Sequence, residues 1–341
     1  MNKLENLLKL YDYSLPKELI AQKPANPRDN ARLLIYERKT GKFKLDTFKN
    51  LVKYLPSPCL LIFNQTRVIP ARLQTKKITG GKAEIFYLGR KGSLLKALSN
   101  RDLKPNDKLF LSPKIYFSIV GKEANYYLAK PSFKISQLPN ILKQYGQTPL
   151  PPYIKNSPLN ETSKRKEYQT VFAKTGESVA APTAALHFTK KQLKELKKRG
   201  IKFEFVNLNV NLGTFAPLKE KNIKSGKLHS ESYFLSKKTA KSLKNAQRNK
   251  LPIIAVGTTS LRTLETFAQT SKLSGSTDLF IRPGFKFNLT DGLITNFHVP
   301  RSSLLMLVAA LVGRKKLFQI YKKAILEKFR FFSFGDGMLI I

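Results

Sequence analysis

Three histidines make up the whole imidazole complement of this 341-residue chain, and each stands beside residues suited to acid–base or ligand-binding work. In KLHSESY, His229 is two residues from Glu231. On an extended segment side chains alternate with a period of two, so the pair shares one face. Such a pair can transfer a proton, and its carboxylate can face a cation; the alternative is a surface polar patch. In VAAPTAALHF (179–188), His187 ends a run of small residues that lets a ligand approach the backbone. Imidazole titrates near neutral pH, so His187 is either an acid–base candidate or a structural histidine. His298 lies in NFHVP. LPIIAVGTTSLRTLE reads as strand, tight turn and helix. Gly257 permits the turn. Thr258, Thr259 and Ser260 then bring hydroxyls and free N–H groups to a helix start, where a phosphate or carboxylate fits. Plain N-capping is the other reading. Gly335-Asp336-Gly337 is a turn before a final strand, and Asp336 can serve that turn alone.

Several chemistries lack their signatures. There is no Walker A spacing, no Gly-x-Gly-x-x-Gly and no Gly-x-Ser-x-Gly elbow. The histidines are far apart and no close metal-binding spacing occurs, so no metal is expected. The single Cys59 excludes an intrachain disulfide and a cysteine zinc site; within CLLIF it reads as a buried structural thiol.

Charge is distributed in a telling way. Net charge is +40, from 62 Lys+Arg against 22 Asp+Glu. Yet 175–189, 203–218, 251–271 and 287–313 carry almost no basic residues, and all three histidines lie in or beside these islands. A polyanion-binding shell around a neutral polar pocket fits both facts, with lysines and arginines displacing counterions from phosphates. Compositional drift toward lysine would also raise the charge. The opening MNKLENLLKLYDYSLP has no uninterrupted apolar core, and the longest apolar run, 304–312, is too short to span a bilayer. A cytoplasmic monomer with no membrane partner is the expectation.

These residues need a scaffold. The run 60–63 reads as a short apolar strand before the polar turn at 64–67. From about 74 to 144, short alternating segments between Gly, Pro and Asn turns read as all-β. PLPPYI (149–154) is a stiff linker. Helices follow at TKKQLKELKKRG, with Thr189 as N-cap and Gly200 past the end, and at LSKKTAKSLKNAQRNK, SLRTLETFAQTS, SSLLMLVAALVG and RKKLFQIYKKAILEKF; FEFVNLNV and LPIIAV read as strands. The expected fold is an α/β or α+β large domain, residues 1–73 and 149–341, with an inserted smaller all-β domain at 74–148.

Taken in order, LIFNQTRVIPARL, TGGKAE (79–84), PLPPYI, YQTVFA (168–173), VAAPTAALHF, LGTF (212–215), HSE (229–231), AVGTTSLRTLE, ITNFHVPRSSLLMLV and KFRFFSFGDGMLI resemble one family nearly end to end: the S-adenosylmethionine:tRNA ribosyltransferase-isomerases of queuosine biosynthesis. The resemblance implies transfer and isomerisation of the ribosyl group of S-adenosylmethionine onto 7-aminomethyl-7-deazaguanine at the wobble position of a tRNA. Epoxyqueuosine-tRNA, adenine and methionine result. S-adenosylmethionine is then a consumed co-substrate, and no resident cofactor is expected. The residues expected to carry acid–base work are His187, His229 and Glu231. Those expected to bind substrate are Asn64, Arg67, Thr183, Gly213, Thr214, Thr258, Thr259, Ser260, Arg262, Asn296 and Asp336. Phe215, Phe297 and Phe332 are candidates to stack on an anticodon base. The chain also departs from the family. Ala185 stands where glycine is usual, Asn209 where histidine is, Asn211 where glycine is, Lys164 where an acid is, and Ser225-Gly226 where Asp-His is. The second reading these departures raise is a catalytically impaired tRNA-binding relic.

Overall fold

The structure, a computed structural model, describes residues 3–123, 125–210 and 218–341. Its centre is a nine-stranded mixed sheet. Four neighbouring strands run parallel: Lys202–Leu208, Leu60–Asn64, Ile253–Val256 and Gly292–Asn296. Gly337–Ile340 continues the sheet antiparallel to the last of these, and Arg32–Tyr36 and Phe43–Thr47 complete that side. Lys227–Leu235 and Ser274–Leu279 form the other edge.

The central strands are apolar along their whole length because both faces are covered. Leu60, Ile62, Ala255, Leu293 and Met338 point to one core, with the helices Lys237–Arg248, Thr258–Thr270, Ser303–Val312 and Arg314–Leu326. Their strand neighbours Leu61, Phe63, Ile254, Ile294 and Leu339 point to the other, with Phe48, Phe188 and Leu196. Cys59 lies in this second core, and burial pushes its thiol up to about 12. Cutting a fully buried Leu61 to alanine would cost roughly 2–5 kcal/mol.

A second sheet closes on itself. Arg72–Lys77, Lys82–Lys91, Leu94–Ser99, Tyr126–Pro131, Ile115–Glu123 and Lys108–Ser112 pair in that order, and Lys76 and Lys77 pair with Phe110 and Leu109 to complete a six-stranded barrel. Leu73, Ile85, Tyr87, Leu95, Leu109 and Phe117 are buried in its core.

The expected helices and strands occur. Thr189 caps Lys190–Lys198 by accepting from the Gln192 N–H. Ser236 caps Lys237–Arg248 in the same way. The expectation of an all-β stretch at 74–148 needs correction, since the helix Leu138–Tyr145 lies within it. Leu138, Ile141 and Leu142 are buried at i, i+3 and i+4, with Pro139 in the first turn, a helical pattern that the neighbouring strands mask. Among the described residues no helix is long and apolar enough to cross a membrane.

Candidate active site

The four parallel strands all end at one edge of the sheet, and in open α/β sheets ligands bind beyond the carboxyl ends of such strands. Here that edge carries Asn64, Leu208, Val256 and Asn296. Beyond it lies a cavity of about 60 Å³. Its walls come from distant parts of the chain: Ala181 to Ala184, Gly257 to Thr259, Thr295 to Val299, Phe332 and Ser333, with Tyr153 and Val210. No charged side chain occurs among these described lining residues.

Local folding sets each piece. Gly257 sits at φ 91°, between the strand and the helix Thr258–Thr270, where a side chain would be strained. The turn carries Thr258 and Thr259 to the cavity. Ser260 faces inward and donates to the Val256 carbonyl at 2.8 Å, outside the cavity wall. Thr183 lines the cavity at the start of a 3₁₀ turn, Thr183–His187. His187 ends that turn behind the wall, buried and stacked on Phe48 at 4.2 Å between ring centroids. Burial, aided by the positive charges of Arg330 and Arg28, pushes its imidazole down to about 3. Asn296 stands between His187 and the cavity, with Nδ2 3.2 Å from His187 Nε2 and 3.2 Å from the Asp336 carbonyl oxygen. Asn296 Oδ1 and Thr259 Oγ1 are buried without a hydrogen-bond partner among the described residues. Tyr153 bonds Ser333 Oγ at 2.6 Å, and burial pushes its phenol up to about 12.

His298 lines the cavity, its Nε2 2.8 Å from Thr295 Oγ1, and burial pushes its imidazole down to about 3. Its backbone is clamped from both sides. Its N–H donates to the Tyr321 oxygen at 2.7 Å, and its carbonyl accepts from Tyr13. His298, Tyr153 and Ser333 also line the cavity, though they are not among the site residues expected from sequence. The signal available for His298 was its place in a lysine-free island.

Other expected site residues are placed elsewhere. Glu231 is buried and paired with Arg262, whose guanidinium also donates to the Leu279 carbonyl at 3.2 Å. His229 is exposed. Both border a separate cavity of about 20 Å³, which shares Leu304 with the first. Strict alternation fails because Lys227 and Glu231, four residues apart, pair with Leu279 and Thr277, only two apart. Asp336 is not offered to a ligand: it accepts from the Arg32 and Arg330 backbone N–H groups and pairs with the Arg330 guanidinium at 3.1 Å. Asn64 is likewise consumed, donating to the Leu208 carbonyl and accepting from the Leu208 and Thr66 N–H groups. Arg67 is exposed and lines a cleft of about 860 Å³ toward the barrel, with Arg90, Lys143 and Arg165. Gly213, Thr214, Asn211 and Phe215 lie outside the described residues. Of the aromatic candidates, Phe297 belongs to a buried cluster with Tyr321, Phe329 and Phe331, and Phe332 stands at the wall beside Tyr153.

The departures have local explanations. Ala185 is fully buried within the 3₁₀ turn and has no positive φ, so this backbone makes no demand for glycine there. Gly226 ends the helix Glu220–Ser225 in the left-handed conformation at φ 66°, where glycine is the favoured residue. Asn209 accepts from Thr66 Oγ1 at 3.1 Å and donates to Ser232 Oγ at 3.2 Å. Lys164 is half-buried in the helix Glu161–Glu167, and nothing in the structure explains a cation there.

The family model described as Queuosine biosynthesis protein matches residues 8–340, and the chain belongs to that family. It is 45% identical to the S-adenosylmethionine:tRNA ribosyltransferase-isomerase of Carboxydothermus hydrogenoformans, over 98% of this chain and 99% of that one. It is 42% identical to the protein of the same name from Sulfurihydrogenibium sp., over 97% and 98%. A crystal structure of S-adenosylmethionine tRNA ribosyltransferase from Thermotoga maritima matches it with a TM-score of 0.57 and 33% identity, covering 97% of this chain and all of that one.

Proposed function

We propose that this chain is an S-adenosylmethionine:tRNA ribosyltransferase-isomerase of queuosine biosynthesis, acting at the cavity beyond the parallel strands. Its acceptor is 7-aminomethyl-7-deazaguanine at the wobble position of a tRNA. The reaction loses a proton from the ribose carbon next to the sulfonium, releases adenine with a proton, joins the acceptor amine to the ribosyl group and frees methionine. The end-to-end relationship to proteins bearing that activity in their names carries the reading. The cavity adds physical support. Two neutral histidines and no charged lining residue suit a cationic sulfonium, which a lysine would repel. The cleft with Arg67, Arg90, Lys143 and Arg165 suits tRNA phosphates.

The protein acts in the cytoplasm as a monomer, with S-adenosylmethionine consumed and no resident cofactor. Residues 74–148 form a smaller unit inserted into a large one built from 1–73 and 149–341. Supporting that division, the nine-stranded sheet draws its strands from both flanking segments, and five of the six barrel strands lie wholly in the stretch between them, the first, Arg72–Lys77, crossing its start.

The test is one incubation of purified protein with S-adenosylmethionine and tRNA bearing the aminomethyl-deazaguanine, read by mass spectrometry. Adenine together with epoxyqueuosine-tRNA is expected. Folded protein that binds the tRNA and yields neither product refutes the reading.

A further inference from the structure

The buried Asn296 amide has only one workable orientation. The group beside it at 3.2 Å is the Asp336 backbone carbonyl, which can only accept, so the amide nitrogen must be on that side. The same nitrogen lies 3.2 Å from His187 Nε2, which must therefore accept its second N–H. His187 can do so only as the neutral tautomer protonated on Nδ1. Its setting keeps the ring neutral: it is stacked on Phe48 and buried, with the cationic Arg330 and Arg28 near it, and the Asn296 contact then selects the tautomer. Both amide hydrogens are thus spent inside the protein, and Oδ1 is left over at the cavity wall with no partner. Thr259 Oγ1, in the same wall, is also buried and without a partner. The aromatic residues Tyr153 and Phe332 line the same cavity, side by side.

We propose that Asn296 is a fixed hydrogen-bond acceptor for an N–H edge of a purine-type base, and that His187 is a positioning residue that, together with the Asp336 carbonyl, keeps it so. Buried acceptors are normally paired, and a planar ligand bearing an amine or lactam N–H supplies the missing donor while lying against the aromatic wall. This rests on the proposed reaction, which brings two such bases to the site: the adenine of the donor and the deazaguanine of the acceptor. It also moves His187 from proton transfer to ligand discrimination.

Calorimetric binding separates the two sources without turnover. One arm compares S-adenosylmethionine with its 6-deamino analogue. The other compares free 7-aminomethyl-7-deazaguanine with its 2-deamino analogue. Wild-type protein is expected to prefer the aminated member of one pair by about ten-fold, the size of one hydrogen bond to a buried partner. Asn296→Ala should abolish that preference. His187→Ala should reduce it, because only the Asp336 carbonyl then holds the amide, and His187→Gln, whose side-chain oxygen can accept from Asn296, should restore it. A purely structural His187 would lower the melting temperature and leave the preference intact, which overturns its assigned role. Discrimination in the first arm assigns the adenine, and in the second the acceptor base. Absence of discrimination in both arms for wild-type protein overturns the proposal whether or not any variant folds. Adenine release by wild-type protein, measured separately, tells that failure apart from failure of the proposed reaction.

Discussion

Replacing Glu231 by glutamine should destabilise the protein rather than disarm it. Glu231 and Arg262 are 2% and 5% exposed, and they pair directly. Glutamine keeps the shape and an acceptor oxygen but removes the charge. Arg262 would then be a buried cation supported by the Leu279 and Thr277 carbonyls. Removing one partner of a buried ion pair costs about 3–5 kcal/mol, mostly because the other charge stays desolvated. The glutamine oxygen places the expected loss near about 3 kcal/mol. Adding Arg262→Met should recover much of it, since apolar replacement of a whole buried pair is often near neutral. Urea unfolding of the wild type, both single variants and the double variant gives the coupling directly. Turnover per folded molecule should fall far less than stability does. The reasoning is refuted if Glu231→Gln unfolds at the wild-type midpoint while adenine release collapses. Glu231 would then act on substrate, as the spacing with His229 first suggested.

The remaining expectations are quicker to state. Gly257→Ala forces a side chain into φ 91°, and its nearest new neighbour would be 3.6 Å away, so the loss is backbone strain of roughly 1–3 kcal/mol rather than a clash. Denaturation should show that loss together with weaker S-adenosylmethionine binding, and a variant as stable as wild type contradicts it. His187 is held near 3 in the fold against about 6.5 in the unfolded chain, which therefore binds the extra proton between those values. Stability is complete above about 6.5 and falls below it at up to about 1.4 kcal/mol per pH unit, a fall that His187→Gln should lessen; an unchanged difference between about pH 7 and pH 5 in the variant speaks against a buried neutral imidazole. Affinity for tRNA should drop steeply with salt, and Arg67→Ala should reduce the log–log slope by about 0.7, whereas an unaltered slope removes Arg67 from the phosphate path.

The scaffold was legible in the sequence wherever one period dominated. The helix at 190–198 declared itself through its Thr189 cap, and the central strands through unbroken apolar runs; the Ser236 cap of the helix at 237–248 emerged only in the fold. The site was legible as a set of segments: the small-residue turn before His187, GTTS and NFHVP do meet at one cavity. The direction of individual side chains was not. His229 and Glu231 border one small cavity, yet His229 is exposed and Glu231 buried, beside an irregularity in strand pairing that no local pattern records. Asp336, Asn64 and Arg262 have the chemistry of ligand-binding groups, and each is consumed by a backbone or a counter-charge from a remote stretch. Types and spacing show what a residue can do; its partners in the fold decide what remains for a ligand.

That distinction sharpens the electrostatic argument. The chain carries a net charge of +40, yet the proposed reaction brings a sulfonium cation and a polyanionic tRNA to the cavity. A carboxylate in the wall would attract the cation but repel phosphate and demand desolvation. The protein takes another course. The acids near the site, Asp336 and Glu231, are neutralised by Arg330 and Arg262, and the buried His187 and half-buried His298 are held uncharged. The cavity is thus lined by neutral dipoles: the Thr258 and Thr259 hydroxyls, the Asn296 amide and the Ser333 hydroxyl. Positive charge is left to the cleft around Arg67 and Arg90. The negative charge needed next to the sulfonium then arrives with the tRNA. It follows that S-adenosylmethionine should bind weakly alone and more tightly once tRNA is present, and by linkage the tRNA should bind more tightly by the same factor. Calorimetry with each ligand in the presence of the other measures that factor, and a value of one would mean that the protein itself supplies the counter-charge.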